Sequence, residues 1–474
     1  MLQEAAPHQQ VLRKFYLYET RTRYYLVGRT KDRRQWRVLK LNRSEAWKLD
    51  VVEDPIIYTE QECRRLLTEL NDGNAKHGGA TLLLQADAVL GCFKFLEGHY
   101  LLFAVKKRLH GNICGQKVYG VANIGLISLV EPSVADTNFT NSSDTGERKY
   151  RKLLSGVELT KNFFFSYTYP LWLTLQAAMT QPITSANGAE QPKEASAGSS
   201  GSFRDTGQEA AVPVGGSPFD SMFVWNDFLT KPLRAAVGND RWTTPLVHGF
   251  WQQRTLEMLG LPVRVTLIAR RSRHFAGTRY RRRGVNDAGH VANDVETEQI
   301  VSAGRDWRSG LPVVSSSVQV RGSIPLYWNQ DSAARVIKPE IQLQSFDPLF
   351  AATRLHFEDL ALRYGRPTVV LNLVKSVEKR PRESLLCREF SRAIGYVNKQ
   401  VPHAEDTVRH IAWDFHAHAR QRGAHILAQM APIIVRCLSA LDVFCLPPAA
   451  AASTALKDPS TRPDWVCVSQ LGGL

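Results

Sequence analysis

The chain has 474 residues, 43% of them hydrophobic and 22% charged, enough for two or three domains or one large two-part unit with a real buried core. A net charge of +15 points to an anionic partner: a membrane surface, a phosphorylated small molecule or nucleic acid. The seven cysteines are scattered and form no Cys-x-x-Cys pair, which argues against a disulfide framework and a zinc site, and no stretch reaches the ~18 uncharged apolar residues of a membrane span.

In chain order, the polar run Met1 to Gln10 lacks the apolar core of a signal peptide, so a cytoplasmic chain with peripheral membrane contact is expected. Lys14 to Val27 alternates aromatic and polar residues, and Trp36 to Leu41 is a second strand-like run. Thr59 followed by Glu62 is a capping-box start, and Leu66, Leu67 and Leu70 share one helical face. Together they predict a helix from about Tyr58 to Asn71, closed by Gly73. Thr81 to Val105 returns to strands, with turns predicted at Gly91 and Gly98.

Pro132 to Arg148 is polar and reads as an insertion. Asn162 to Leu175 is dense in aromatics (Phe163, Phe164, Phe165, Tyr167, Tyr169, Trp172), which usually means core. Residues 11–180 thus form a mostly β N-terminal subdomain. Residues 181–217, rich in Ala, Gly, Ser, Gln and Pro, bury too little to offset their ordering entropy and are predicted as a disordered insertion.

Residues 218–474 read as an α/β subdomain. Strands are predicted at Pro262 to Ala269, Ser317 to Arg321 and Pro367 to Val374. Helices are predicted around His356 to Tyr364, Glu383 to Asn398 and Ala417 to Ala440, the last with an amphipathic packing face.

The chemistry concentrates between Ala269 and Ile300. Arg270, Arg271, Arg273, Arg279 and the run Arg281 to Arg283 are threaded with Ser272, Gly277, Thr278 and Gly284, and the segment ends in Glu296-Thr297-Glu298. Arginine forks match phosphate oxygens in paired geometry, and glycine lets the backbone approach a ligand. A pocket for a multiply phosphorylated ligand needs both. Nucleic acid is the competing reading, but stacking aromatics are sparse here, only Phe275 and Tyr280.

This segment is similar, almost residue by residue, to the signature of the Sac-domain polyphosphoinositide phosphatases. Gln319 to Trp328 (QVRGSIPLYW), Leu246 to Phe250 (LVHGF), Leu371 to Val374 (LNLV) and Trp413 to His416 (WDFH) resemble further motifs of that family. The run Leu17 to Gly28 resembles the endolysosomal branch that removes the 5-phosphate of phosphatidylinositol 3,5-bisphosphate. The resemblance implies an α/β Sac fold, a phosphoinositide headgroup as ligand, and residence on endosomal, lysosomal or vacuolar membranes. It also implies a complex with a FYVE-type phosphatidylinositol 3-phosphate 5-kinase and a HEAT-repeat scaffold. It calls for no metal or other cofactor and no nucleic acid.

The family's nucleophile sits in a Cys-(x)5-Arg loop, where loop amides, a helix N-terminus and arginine hold a thiolate. No cysteine here is followed by arginine at that spacing. Trp465 to Leu474 resembles the family segment shortly before that loop, so the chain is expected to stop short of its nucleophile, exposing a core edge. The alternative expectation is a non-catalytic scaffold subunit. Arg270, Arg271, Arg273, Arg279 and, by motif match, Arg321 are the headgroup candidates, each weighed against a structural ion pair with Glu296 or Glu298. Asp414 and His416 are accessory acid/base candidates, weighed against a helix-capping Asp. His248, beside Gly249, is a candidate for a core hydrogen bond.

Overall fold

The computed structural model of the chain describes residues 11–43, 48–96, 98–129, 144–180, 217–277, 282–305, 312–330, 340–344, 347–420, 425–441 and 443–446. Its architecture is mixed α/β, and the chain divides into two compact units: Met1–Trp172 with Met222–Gln252, and Leu173–Ser221 with Gln253–Leu474.

In the first unit, β1 (Lys14–Glu19), β2 (Arg23–Arg29), β3 (Trp36–Asn42), β4 (Val51–Glu53) and β5 (Thr81–Ala86) form an antiparallel sheet in the order β4-β3-β2-β1-β5. Period-2 alternation sends Phe15, Leu17, Leu26, Leu39 and Leu41 into one core with Leu233 and Trp242. The run read as one strand, Lys14 to Val27, is a hairpin, because Thr20 accepts from the Arg23 amide and turns the chain.

The capping box forms as the sequence indicates: Thr59 accepts from the Glu62 amide and Glu62 from the Thr59 amide, starting the helix Glu60–Gly73. Then β6 (Ala88–Lys94), β7 (His99–Ile113), β8 (Gln116–Ser128) and β9 (Phe163–Phe165) pair antiparallel in succession. Gly98 lies at the β6–β7 turn, whereas Gly91 lies inside β6 at a register shift. A Cβ at Gly91 would come 2.7 Å from Leu229 Cβ, so the glycine serves close approach of the helix Asp227–Val237.

That helix and Trp242 explain why Met222–Gln252 packs with the first unit, while the sequence reading places it with the second. Phe163, Phe164, Phe165, Tyr167 and Tyr169 are all buried, as their density implies. The polar stretch Pro132 to Arg148 falls outside the described residues as far as 143, and from there the helix Asp144–Ser155 begins. The predicted disordered insertion lies outside the described residues except for Ser217.

The unit boundary falls within β10 (Val247–Met258). In the second unit the chain turns at Leu259–Gly260, both at positive φ (53° and 76°), into β11 (Leu261–Arg271). β12 (Val295–Arg305) and β13 (Pro312–Arg321) follow antiparallel. After the small pair β14 (Trp328–Gln330) and β15 (Ile341–Leu343), β16 (Val369–Asn372) and β17 (Arg409–Ala412) run parallel. β18 (Phe444–Cys445) pairs with β13.

The helices Ala351–Tyr364 and Glu383–Asn398 supply Phe357, Leu360, Phe390 and Ile394 to a core with Val318, Val320 and Val370. The single helix predicted from Ala417 to Ala440 is two: Phe415–Ala419 and Ile426–Leu441. Among the described residues no helix is long and apolar enough to cross a membrane.

Candidate phosphate-recognition site

The arginine-rich segment begins on a strand, and strand geometry sorts its side chains. β11 runs two residues past Ala269, so Arg270 and Arg271 point to opposite faces of the β11–β12–β13 sheet. Arg270 pairs across β12 with Glu296 and onward with Val320. Arg271 pairs with Val295 and onward with Arg321.

The inward face is a closed ionic network. Arg270 is fully buried, and its guanidinium donates to Glu296 Oε1 at 2.7 Å, Glu298 Oε2 at 2.6 Å and the Leu173 carbonyl at 2.7 Å. Glu298 also accepts from Ser316 Oγ and the Leu175 amide, and Glu296 from the Tyr364 hydroxyl. Each oxygen of each carboxylate thus has a donor, as burial demands. Arg270 therefore takes the structural ion-pair role and presents nothing to a ligand, a correction to its place among the headgroup candidates. Tyr364, Ser316 and Leu173 were not legible in the sequence, although the alternation Glu296-x-Glu298 on a strand, with Asp294 just before it, is itself the mark of acids sharing one face.

Asp294 opens that row. It is buried, Oδ1 has no hydrogen-bond partner, and Arg363 reaches Oδ2 only at 3.8 Å. Burial pushes its carboxyl up to about 6. His356, buried on the helix Ala351–Tyr364, is pushed by burial down to about 4.

The outward face carries Arg271, half-buried, and Arg321, exposed. Burial and the neighbouring Arg321 charge both lower the Arg271 pKa, so the two cations sense each other across Val295. Among the described residues neither guanidinium has an ion-pair partner. Two arginines in one cross-strand row, without a carboxylate beside them among the described residues, make a local concentration of positive charge whose forks suit phosphate oxygens.

Arg273 lies past the strand end and donates to the carbonyls of Phe219 at 2.8 Å and Ser221 at 2.7 Å, clasping the turn Pro218–Asp220. Arg279 lies outside the described residues.

The motifs LNLV and WDFH meet at the carboxyl ends of the parallel strands β16 and β17, where α/β sheets place ligand crevices. Asp414 is the N-cap of the helix Phe415–Ala419. It accepts from the Ala417 amide at 2.9 Å, the Ser376 amide at 2.9 Å and Ser376 Oγ at 3.2 Å. Partial burial opposes ionisation, but these hydrogen bonds hold its carboxyl below the usual range. This is the geometry of the capping alternative. Asp414 fixes the loop after β16. His416 is half-buried beside Phe415, with centroids 6.2 Å apart. In the first unit, His248 stacks on Phe163 at 4.5 Å.

Among the described cysteines, burial pushes Cys63 up to about 11 and Cys92 to about 12, and raises Cys114, Cys387 and Cys437. None of these five is placed to be a thiolate.

The SacI homology domain profile matches residues 87–420. The chain is 43% identical over 441 residues to the phosphatidylinositol-3-phosphatase SAC1 of Arabidopsis thaliana, covering 93% of this chain and 44% of that protein. It is 43% identical over 434 residues to the phosphoinositide phosphatase SAC2 of the same plant, covering 91% and 49%. Against the polyphosphoinositide phosphatase of Schizosaccharomyces pombe it is 37% identical over 443 residues, covering 91% and 48%. The chain spans about half the length of the curated relatives it matches. A profile match across most of the chain and relatives of this identity show that it belongs to the SacI homology domain family.

Proposed function

We propose that this chain binds a phosphoinositide headgroup and works as part of a phosphatase acting on the 5-phosphate of phosphatidylinositol 3,5-bisphosphate. The observation that carries the reading is the pair Arg271 and Arg321, flanking Val295 on one face with no carboxylate partner among the described residues. Their forks would take the phosphate oxygens, while Arg270 and Arg273 hold the strand and the loop in place. The relatives' names support a phosphoinositide as substrate class. The likeness of Leu17 to Gly28 to the endolysosomal branch supports the 3,5-bisphosphate, acted on at endosomal, lysosomal or vacuolar membranes.

Hydrolysis by a cysteine phosphatase runs through thiolate attack on phosphorus, a phosphocysteine and its hydrolysis by water. The sequence of this chain holds no Cys-(x)5-Arg, and the five cysteines named above sit where burial disfavours the thiolate. Residues 1–474 alone are therefore expected to bind and not to turn over. That same observation favours a second reading, a non-catalytic subunit joining a FYVE-type 5-kinase and a HEAT-repeat scaffold.

The test pairs calorimetric titration of residues 1–474 with soluble inositol 1,3,5-trisphosphate and a phosphate-release assay on the lipid. Binding weakened about tenfold in Arg271→Ala and in Arg321→Ala, with no phosphate released, is the expected result. Release of phosphate overturns the inactivity. Absence of headgroup binding overturns the recognition site and leaves the subunit reading.

A further inference from the structure

The outward face of the β11–β12–β13 sheet has a second property, legible only from its register. Cross-strand rows run Val263–Ala303–Val313, Val265–Val301–Ser315, Leu267–Gln299–Ser317, Ala269–Thr297–Gln319 and Arg271–Val295–Arg321. No outward position is acidic, and every acid of these strands points inward. All but Val295 are at least partly exposed. One end of the face is aliphatic and the other carries two arginines.

The aliphatic end continues into the β10–β11 hairpin. There Met258 is 55% exposed, Leu259 102% and Leu261 60%. From Arg254 to Pro262 every residue is exposed, so the hairpin stands clear of the rest of its unit. Several large apolar side chains on one protruding tip are costly in water unless something apolar receives them. The Leu259–Gly260 turn fixes their direction, because both residues already hold the positive φ of a tight two-residue hairpin.

We infer that this face is the membrane-docking surface, with the Met258–Leu261 tip inserting into an anionic bilayer and Arg271 and Arg321 lying at its headgroup level. The commitment to a bilayer rests on charge and polarity together. An acid-free face with arginines at one end and aliphatics at the other matches anionic headgroups above acyl chains. Leu261 and Arg271 are ten residues apart on β11, about 33 Å, so β11 lies along the membrane, not upright on it. The role of the arginine end rests on the proposed headgroup recognition. The role of the tip does not.

The experiment uses residues 1–474 in vesicle flotation. One set of vesicles is phosphatidylcholine with phosphatidylserine, and a second adds phosphatidylinositol 3,5-bisphosphate. The double variant Met258→Asp/Leu259→Asp is expected to lose vesicle binding at least about tenfold on both sets. Its thermal unfolding and its affinity for soluble inositol 1,3,5-trisphosphate should stay as in the wild type, because both side chains are exposed. Wild-type vesicle binding by the double variant overturns the inference. So does a wild-type dimer that the double variant dissociates with vesicle binding unchanged, which makes the tip a contact between copies. Tip-dependent binding to phosphatidylserine vesicles with no affinity for the soluble headgroup sustains the docking face and rejects the headgroup site.

Discussion

Arg270 and Arg271 are neighbours in the chain and opposites in the molecule. One is fully buried between two carboxylates, and the other shares an open face with Arg321. Inward, each charge is matched oxygen by oxygen, because an unmatched charge without water costs several kcal/mol. Outward, charge of one sign goes unpaired because solvent screens it until an anion arrives. A run of arginines in a sequence is therefore not one patch when a strand passes through it.

The comparison can be broken most directly at Arg270. Arg270→Ala leaves Glu296 and Glu298 buried without their cation and should cost about 3–5 kcal/mol in chemical denaturation. A cost under about 1 kcal/mol would mean that the network is not closed as described.

Titration sharpens the inward side. Asp294 is raised by burial from 3.8 to about 6, so its contribution to stability is full below pH 3.8 and is lost as pH rises through 6. His356 is lowered by burial from 6.5 to about 4, so its contribution is full above pH 6.5 and is lost as pH falls through 4. Each shift corresponds to roughly 3 kcal/mol, and the two nearly cancel between pH 4 and 6. Asp294→Asn removes one partner and should lose stability on acidification across that range, more steeply than the wild type. Parallel curves of stability against pH would contradict the pairing of effects.

Asp414→Ala should cost about 1 kcal/mol, the worth of an N-cap, with Asp414→Ser largely restoring it. Rescue by serine, itself a good N-cap, assigns the stability effect to capping, and no rescue would contradict it. The smallest effect on stability is expected on the open face. Arg271→Ala and Arg321→Ala should each stay within about 0.5 kcal/mol in denaturation, yet each should weaken headgroup binding about tenfold. Loss of stability without loss of binding would make that face structural too.

Much of the site was legible in part. The capping box at Thr59, the helix Glu383–Asn398 and the burial of the Phe163–Phe165 cluster follow from local patterns that packing did not override. Gly91 reads as a turn in the sequence and proves to be a point of close helix approach, because glycine marks both and only the partner Leu229 tells them apart. The predicted helix through Ala417 divides because Asp414 caps a short first piece and a second begins at Ile426.

By itself the sequence determined composition, element types and a chemistry of arginine against phosphate, because these depend on residue type and short-range period. Tertiary structure decided which arginine does what. Whether a guanidinium finds Glu298 or stays open depends on which face of β11 it leaves and what lies 26 or 28 residues away across the sheet. That is a matter of register, which a chain acquires only when its strands pair.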